Sequence, residues 1–201
     1  GAINLKAHVD NVRKFGVPPV VAVNRFDTDS DAEVKAILEA CEEWGVMAVE
    51  SDPHSTTGTG CLELADAVSD LLASGEANFR PLYESDSGLR EKIDTIATEI
   101  YGADGVDFVG QADQAIEHLE SIGLRDVPVC VAKTQYSFSD DPSLLGRPSG
   151  FRIRVGEVTP SAGAGFVVAK TGEIMTMPGL AARPAAAGMS VTDAGEIVGL
   201  A

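Results

Sequence analysis

The sequence predicts an α/β protein: a parallel sheet with helices on both faces, followed by a smaller α/β domain that ends in a β-meander. Two continuous apolar runs, at 17–23 and 46–50, flank an amphipathic helical pattern, and parallel strands need such a helical crossover between them. From residue 151 onward the apolar period switches to two, which is typical of antiparallel strands. We therefore predict two domains, residues 1–75 and residues 76–201.

Five helices and strands are predicted in the first domain, and glycines or capping residues mark their ends. Asp29 or Ser30 can cap the second helix, and Gly16 and Gly45 stand where the first two helices would stop. The apolar run of the first strand predicts a buried, central position in the sheet. In order, the elements are a helix over 3–15, a strand over 17–23, a helix ending before Gly45, a strand over 46–50, a small-residue loop over 51–60 and a helix over 61–73.

The second domain begins with a turn-rich segment and continues with helices, one apolar strand and a long polar loop. Loops of such length are commonly functional or disordered. The meander would consist of FRIRVGEV, GFVVA and IMTMP, with the tight turn KTGE before the last strand. In order, the elements are a helix over 87–101, a loop YGADGVDF, a helix over 111–122, a buried strand over 127–133, a polar loop over 134–150 and the meander.

The composition is acidic: 31 Asp and Glu against 15 Lys and Arg give a net charge of -16. This charge repels nucleic-acid phosphates and acidic membrane surfaces, so neither is an expected partner. With arginine more frequent than lysine, such a surface is typical of a protein from a salt-adapted cell. No apolar run could span a bilayer and no secretory leader opens the chain, which favours the cytoplasm. A helical pattern starts without an initiator methionine, which indicates a piece of a longer protein.

The cysteines and histidines do not have the spacing of a metal site. Cys41, Cys61 and Cys130 are an odd number without a CxxC pair, and each lies in an apolar or helical context, so we predict buried free thiols. The histidines His8 and His118 lie in helical patterns away from the third one. No metal-binding residue is therefore predicted.

Two polar loops, NRFDTD and SDPHSTTGTG, follow the two strands of the first domain. Ligands of parallel α/β sheets bind beyond the carboxyl ends of the strands, and adjacent strands would bring these two loops side by side. The first loop has the Asn-basic-x-Asp form, with Asn24 and Asp27, that GTP-binding proteins use to read guanine. A plain strand-to-helix turn and a loop for another ligand are the alternatives.

A phosphate-binding loop is missing from the sequence. No G-x-x-x-x-G-K-[ST] string occurs, and the most similar segment, AGFVVAKT at 164–171, has alanines at both glycine positions within a β pattern. In the second strand-end loop, small residues expose backbone N–H groups and His54 could stack on a ring. A flexible turn before a helix explains the same residues.

Several sequence motifs along the whole chain together resemble one protein family. The strings VPPVVAVNRFDTD, IYGADGVDF, CVAKTQYSFSDDPSLLG and PSAGAGFVVAKTGEIMTMPGL, with ELADAV, RPAA and EIVGL, together resemble the C-terminal part of formate–tetrahydrofolate ligase over nearly all 201 residues. The resemblance implies a P-loop-type α/β fold and an enzyme that joins formate to N10 of tetrahydrofolate with ATP, through formyl phosphate. It also implies that the enzyme acts in one-carbon metabolism and that it forms a homotetramer.

The resemblance implies that the phosphate chemistry lies outside this chain. ATP and Mg²⁺ would be bound mainly by an N-terminal P-loop half, which would be a partner of this piece, and no catalytic residue is expected here. What the chain would carry is part of the folate pocket and the later part of the sheet. Alone it is expected to bind folate weakly and not to turn over. A guanine-nucleotide-binding module and a catalytically inactive structural fragment are the alternatives.

The resemblance also implies particular folate-binding residues. Phe26 matches an aromatic residue that stacks on the folate ring in relatives, and Asn24 and Arg25 belong to the same N-R-F loop. His54 stands where relatives usually have a second stacking aromatic, a tryptophan, and Asp27 stands where they commonly have proline.

A second tier of candidates comes from the A-K-T-Q-Y-S string. Lys133, Gln135 and Tyr136 match this motif of the family. A strand end that anchors a contact between domains explains the same residues equally well.

Overall fold

A computed structural model describes residues 1–172, 174 and 182–199. Most of these residues form two mixed layers of helices and strands, and a short hairpin lies near the end. The helices are α1 (Ala2–Lys14), α2 (Asp31–Glu43), α3 (Pro53–Thr56), α4 (Leu62–Ser74), α5 (Leu89–Thr95) and α6 (Ala112–Ser121). The strands are β1 (Val20–Asn24), β2 (Met47–Ser51), β3 (Val106–Phe108), β4 (Val129–Ala132), β5 (Ile153–Ser161), β6 (Phe166–Thr171), β7 (Ser190–Val191) and β8 (Ile197–Val198).

The first layer is a parallel pair of strands with helices on both faces. β1 pairs with β2 in register from Val20 opposite Met47 to Asn24 opposite Ser51. α1 and α2 pack on the face that carries Val21 and Ala48, around a core that includes the fully buried Cys41. α4 follows Cys61, whose thiol lies 3.5 Å from the Ser51 hydroxyl; that hydroxyl points to the other face because side chains alternate along a strand. The predicted order of these five elements is confirmed.

The prediction of a central first strand is wrong for the residues that the structure describes. Within them, β1 pairs with β2 alone, so its other edge is unpaired, and Asn24 and Ala22 are exposed. The Val-rich sequence reports burial on the face toward α1 and α2, which does not by itself require a strand on each side.

A capping box fixes where α2 begins, just beyond the end of β1. The Ser30 hydroxyl accepts from the backbone N–H of Glu33 at 3.3 Å, and the Glu33 carboxylate accepts from the backbone N–H of Ser30 at 3.0 Å. Two of the otherwise unpaired N–H groups of the first turn are satisfied in this way. Of the two predicted caps, Ser30 is therefore correct, and the loop after β1 is confined to residues 25–29.

α1 contacts both halves of the chain. Its apolar face, with Val9, packs in the first core, while Asn11 Nδ2 donates to the Ile100 carbonyl at 2.7 Å and Lys14 pairs with Glu99 at 3.2 Å. The two predicted domains are thus joined by a helix that belongs to the first one by sequence.

The second layer is a four-stranded sheet in the order β3-β5-β6-β4, covered by α5 and α6. β5 and β6 form an antiparallel hairpin with an irregular register at Gly156, whereas β3 and β4 pair parallel to β5 and β6 respectively. The predicted third meander strand, IMTMP, lies outside the described residues except for Ile174, so the meander stays a prediction.

Three predicted segments differ from the structure. The loop over 51–60 is helical, since α3 continues into a 3-10 turn over Thr57–Cys61. The segment YGADGVDF contains β3, which pairs with a strand some 45 residues away and therefore has little local signal. The helix over 87–101 is α5 followed by a π-helical turn over Ile96–Ile100.

The cysteine prediction holds at one position only. Cys41 is fully buried, and burial raises the pKa of its thiol. Cys61 is partly exposed and Cys130 is exposed. Cys130 lies on β4, which was predicted as a buried strand; β4 is the edge strand of its sheet, and one of its faces meets solvent. No helix among the described residues combines the length and the apolar content that a bilayer crossing requires.

Candidate functional site

The carboxyl ends of β1 and β2 bring the two predicted loops together. The Arg25 backbone N–H donates to the Ser51 carbonyl at 2.9 Å, which continues the parallel pairing one residue beyond β1. The Arg25 guanidinium donates to Glu50 at 3.0 Å and also to Asp31. These hydrogen bonds, the one to Asp31 first, raise the pKa of Arg25 above its ordinary value. Arg25 therefore ties the loop to β2 and to the start of α2.

Phe26 presents its ring to solvent at this edge. Its backbone N–H donates to the Asp29 carboxylate at 2.9 Å, and its carbonyl accepts from the Asp29 backbone N–H at 2.9 Å. This double contact closes a turn, so the backbone of Phe26 is held while the side chain remains 46% exposed. An exposed aromatic ring on a fixed backbone can stack on a planar ligand.

α3 positions His54 beside that ring. Asp52 caps the helix by accepting from the Ser55 backbone N–H at 2.9 Å, and Pro53 occupies the first turn, where its missing N–H costs nothing. The turn that follows is tight at Gly60, because a Cβ there would lie 2.2 Å from the Asp52 carbonyl oxygen. The His54 and Phe26 ring centroids are 5.6 Å apart, with 52° between the ring planes.

Asp27 completes the cluster through a residue that sequence reasoning missed. The Ser55 hydroxyl donates to the Asp27 carboxylate at 2.8 Å and so joins the loop after β1 to α3. Asn24, at the last position of β1, is exposed next to them. The five folate-binding candidates of the two strand-end loops thus all lie at the carboxyl edge of the β1–β2 pair: Asn24, Arg25, Phe26, Asp27 and His54. The D-P-H-S string, an N-cap residue followed by proline, is the signal that could have revealed α3 and Ser55.

The second-tier residues lie in a different cavity, of about 300 Å³, between α1 and the polar loop. Lys133 Nζ donates to the carbonyls of Thr134, at 2.9 Å, and Ser137, and it lies 4.9 Å from the centroid of the Tyr101 ring. Burial lowers the pKa of Lys133, and the nearby carboxylate of Asp140 partly offsets that effect.

The rest of this cavity is polar and aromatic. Gln135 and Tyr136 line it together with Asn4 and His8 of α1, and the His8 ring lies 4.9 Å from that of Phe138. None of the residues around Phe26 lines it. The second tier is therefore separate from the Phe26–His54 cluster.

Two further features of the described residues concern metal ligands and the segment that resembles a phosphate loop. No three His, Cys, Asp or Glu side chains converge there as a metal site would require. The segment that most resembles a phosphate loop forms β6 and the turn before it, so it does not open a helix.

The geometry alone describes a site for a planar ring, with an exposed phenylalanine, an imidazole and polar groups at the carboxyl edge of a parallel strand pair. A model of the family described as formate–tetrahydrofolate ligase matches residues 1–201. That match implies ligase chemistry in one-carbon metabolism, with formate, tetrahydrofolate and ATP as substrates. Since the match covers the whole sequence, the chain belongs to the formate–tetrahydrofolate ligase family.

Proposed function

We propose that the Phe26–His54 edge is part of the tetrahydrofolate pocket of an ATP-dependent ligase that forms 10-formyltetrahydrofolate through formyl phosphate. One observation carries the proposal: in a chain of this family, an exposed phenylalanine and an imidazole from two adjacent strand ends lie 5.6 Å apart. The pterin of tetrahydrofolate is a flat, polar ring that can stack on Phe26. Asn24 and Asp27 offer amide and carboxylate groups to its edge.

The ring separation limits how the pterin can bind. A flat ring held between two others needs about 7 Å between the outer rings, since each contact spans about 3.5 Å. At 5.6 Å the two rings leave no room for a third. The pterin therefore stacks after one side chain has turned aside, and Phe26 contributes the larger aromatic face.

We assign ATP, Mg²⁺ and the formylation step to residues outside this sequence. The sequence lacks the glycine-rich loop and lysine that phosphoryl transfer requires, which supports this assignment. The described side chains are therefore proposed to bind folate and not to take part in phosphoryl transfer. Lys133, Gln135 and Tyr136 are proposed as a second tier that contacts the folate away from its ring system.

Calorimetric titration of tetrahydrofolate into the chain at high salt tests the proposal, with GTP as the competing ligand. Phe26→Ala removes the stacking face and should weaken folate binding by at least about tenfold. Phe79→Ala is the matched control: Phe79 is also exposed, at 68%, but it stacks on Phe15. Phe79→Ala should leave folate binding unchanged. Lys133→Ala tests the second tier in the same titration.

The outcomes separate the hypotheses. Folate binding that is weakened by Phe26→Ala and unchanged by Phe79→Ala supports the proposed pocket. Tight binding of GTP instead would favour the guanine-reading interpretation of Asn24 and Asp27, and binding of neither ligand would favour a structural fragment. ATP-dependent formylation by this chain without any other polypeptide would contradict the assignment of the phosphate chemistry elsewhere.

A further inference from the structure

The hydrogen bond between Ser55 and Asp27 connects the two segments that carry the candidate stacking rings. The Ser55 hydroxyl donates to Asp27 Oδ1 at 2.8 Å. Asp27 follows Phe26 directly in the chain, and Ser55 follows His54. Each partner of this hydrogen bond is therefore the immediate neighbour of one ring, and the bond fixes the distance between the two backbones at the rings.

The other contacts of α3 hold it to its own segment. Asp52 accepts from the Ser55 backbone N–H at 2.9 Å, and its carbonyl accepts from the Thr56 hydroxyl at 2.6 Å. The Asp52 backbone N–H in turn donates to the Gly60 carbonyl at 3.1 Å. Among the side-chain hydrogen bonds of residues 1–172, the Ser55–Asp27 bond is the one that joins α3 to the loop after β1.

We propose that Ser55 is a positioning residue, which holds the His54 ring against Phe26 by bonding Asp27. The backbones on both sides are fixed by this bond and by the pairing of Arg25 with Ser51, so the rings separate by side-chain rotation rather than by loop movement. The consequence for folate rests on the proposed function: with both backbones held in place, the pocket opens by rotation of one side chain, which avoids the entropy cost of ordering the two segments when the ligand binds.

The expected effect is moderate because both partners are exposed. A hydrogen bond to a carboxylate is stronger than a neutral one, but water competes for it at the surface. Loss of the bond should therefore weaken folate binding about threefold to tenfold. Ser55→Thr keeps a hydroxyl and should therefore keep most of the affinity; the Asp27 variants are compared by NMR only, because Asp27 is itself a proposed folate contact.

Proton NMR of the histidine rings tests the positioning without any ligand. The chain has three histidines, so the His54 resonances can be assigned with His54→Gln. The difference in the His54 chemical shifts between wild type and Phe26→Ala measures the ring-current shift that Phe26 causes at His54. Ser55→Ala and Asp27→Ala should each lose most of this shift, whereas Ser55→Thr and Asp27→Asn should keep it.

Ser69→Ala is the matched control, since Ser69 is an exposed serine whose hydroxyl donates only within α4, to the Ala65 carbonyl at 2.7 Å. It should leave the His54 resonances unchanged, and far-UV circular dichroism should report folded protein for every variant. A full ring-current shift in folded Ser55→Ala would overturn the inference.

The folate titration is kept separate from this test. If the wild type binds no folate, the proposed function fails, while the NMR comparison still decides whether Ser55 positions His54. If the wild type binds folate and Ser55→Ala binds it equally well, the role of Ser55 in the pocket is overturned and the proposed function stands.

Discussion

Lys92 should be one of the most important residues for stability, although it lies outside the candidate site. Its side chain is fully buried on α5, and its ammonium donates to the backbone carbonyls of Ser85 at 2.7 Å, Arg125 at 2.9 Å and Val127 at 3.2 Å. These three donations use all the hydrogens of the ammonium. Lys92 therefore joins α5 to the segment before it and to the segment that leads into β4.

The cost of replacing Lys92 with methionine follows from these contacts. Three hydrogen bonds to a charged donor are worth roughly 5 to 9 kcal/mol together. Ser85 and Arg125 are exposed residues, so water can replace the ammonium at their carbonyls in the variant and offset much of that sum. The remainder, about 2 to 4 kcal/mol, is the expected loss in free energy of unfolding, and it corresponds to a Tm lower by roughly 5 to 15 °C.

Thermal and urea denaturation followed by circular dichroism measure this loss. Lys35→Met is the matched control, because Lys35 is exposed and forms only a surface pair with Glu39 at 3.5 Å, and it should change the free energy of unfolding by less than about 0.5 kcal/mol. A Lys92→Met protein as stable as Lys35→Met would refute the reasoning, since three backbone carbonyls would then lose their donor without cost.

The stability conferred by Lys92 should also depend on pH. Burial lowers the pKa of Lys92, so between its folded value and the ordinary value of about 10.4 the unfolded chain binds more protons than the folded one. Under this condition the free energy of unfolding rises with pH. The stability difference between wild type and Lys92→Met should therefore widen as the pH is raised toward the ordinary lysine pKa of about 10.4; a narrowing difference would contradict burial as the dominant cause.

Two further predictions concern the junction of the halves and the second cavity. Gly16→Ala should cost about 3 kcal/mol or more, because Gly16 has φ +70° and a Cβ there would lie 2.0 Å from the Asn78 carbonyl oxygen; Gly45→Ala, with φ +60° and open space, should cost only about 1 to 2 kcal/mol in urea denaturation. Equal costs would show that the contact with Asn78 is unimportant. Acylation of Lys133, followed by peptide mass spectrometry, should level off at a pH below the ordinary lysine pKa, and Asp140→Asn should lower that pH further. If Asp140→Asn instead raised the pH at which acylation levels off, the Asp140 carboxylate could not be the group that raises the pKa of Lys133.

The sequence predicts the first half of the fold well because its signals are local. The capping box at Ser30, the apolar stripe through Cys41 and the glycine after α2 each act within a few residues. The second half depends on pairings between distant segments. β3 has only three residues and pairs with β5, and β4 reads as a buried strand although it lies at the edge of the sheet. An apolar run reports that a strand is apolar but leaves its place in the sheet open.

The candidate site shows the same division. That the loops after β1 and β2 lie side by side could be predicted, because parallel neighbours end at one edge. The contacts within the site could not: the pairing of Arg25 with Glu50 depends on the course of the chain just beyond β1, and the bond from Ser55 to Asp27 depends on the direction that α3 gives the Ser55 side chain. The small residues at 51–60 predict a loop, and a loop gives Ser55 no fixed direction.

The resemblance predicts proline and tryptophan in relatives where this chain has Asp27 and His54, and in the structure a hydrogen bond joins the segments that carry these two residues. Asp27 bonds Ser55, the residue that follows His54 on α3, and the imidazole lies against Phe26. An imidazole offers less stacking area than an indole, so its contribution depends more on being held in place. A carboxylate at position 27 supplies an acceptor that proline cannot. Under the proposed function, we therefore expect the hydrogen bond from Ser55 to Asp27 to matter more for a histidine at position 54 than for a tryptophan.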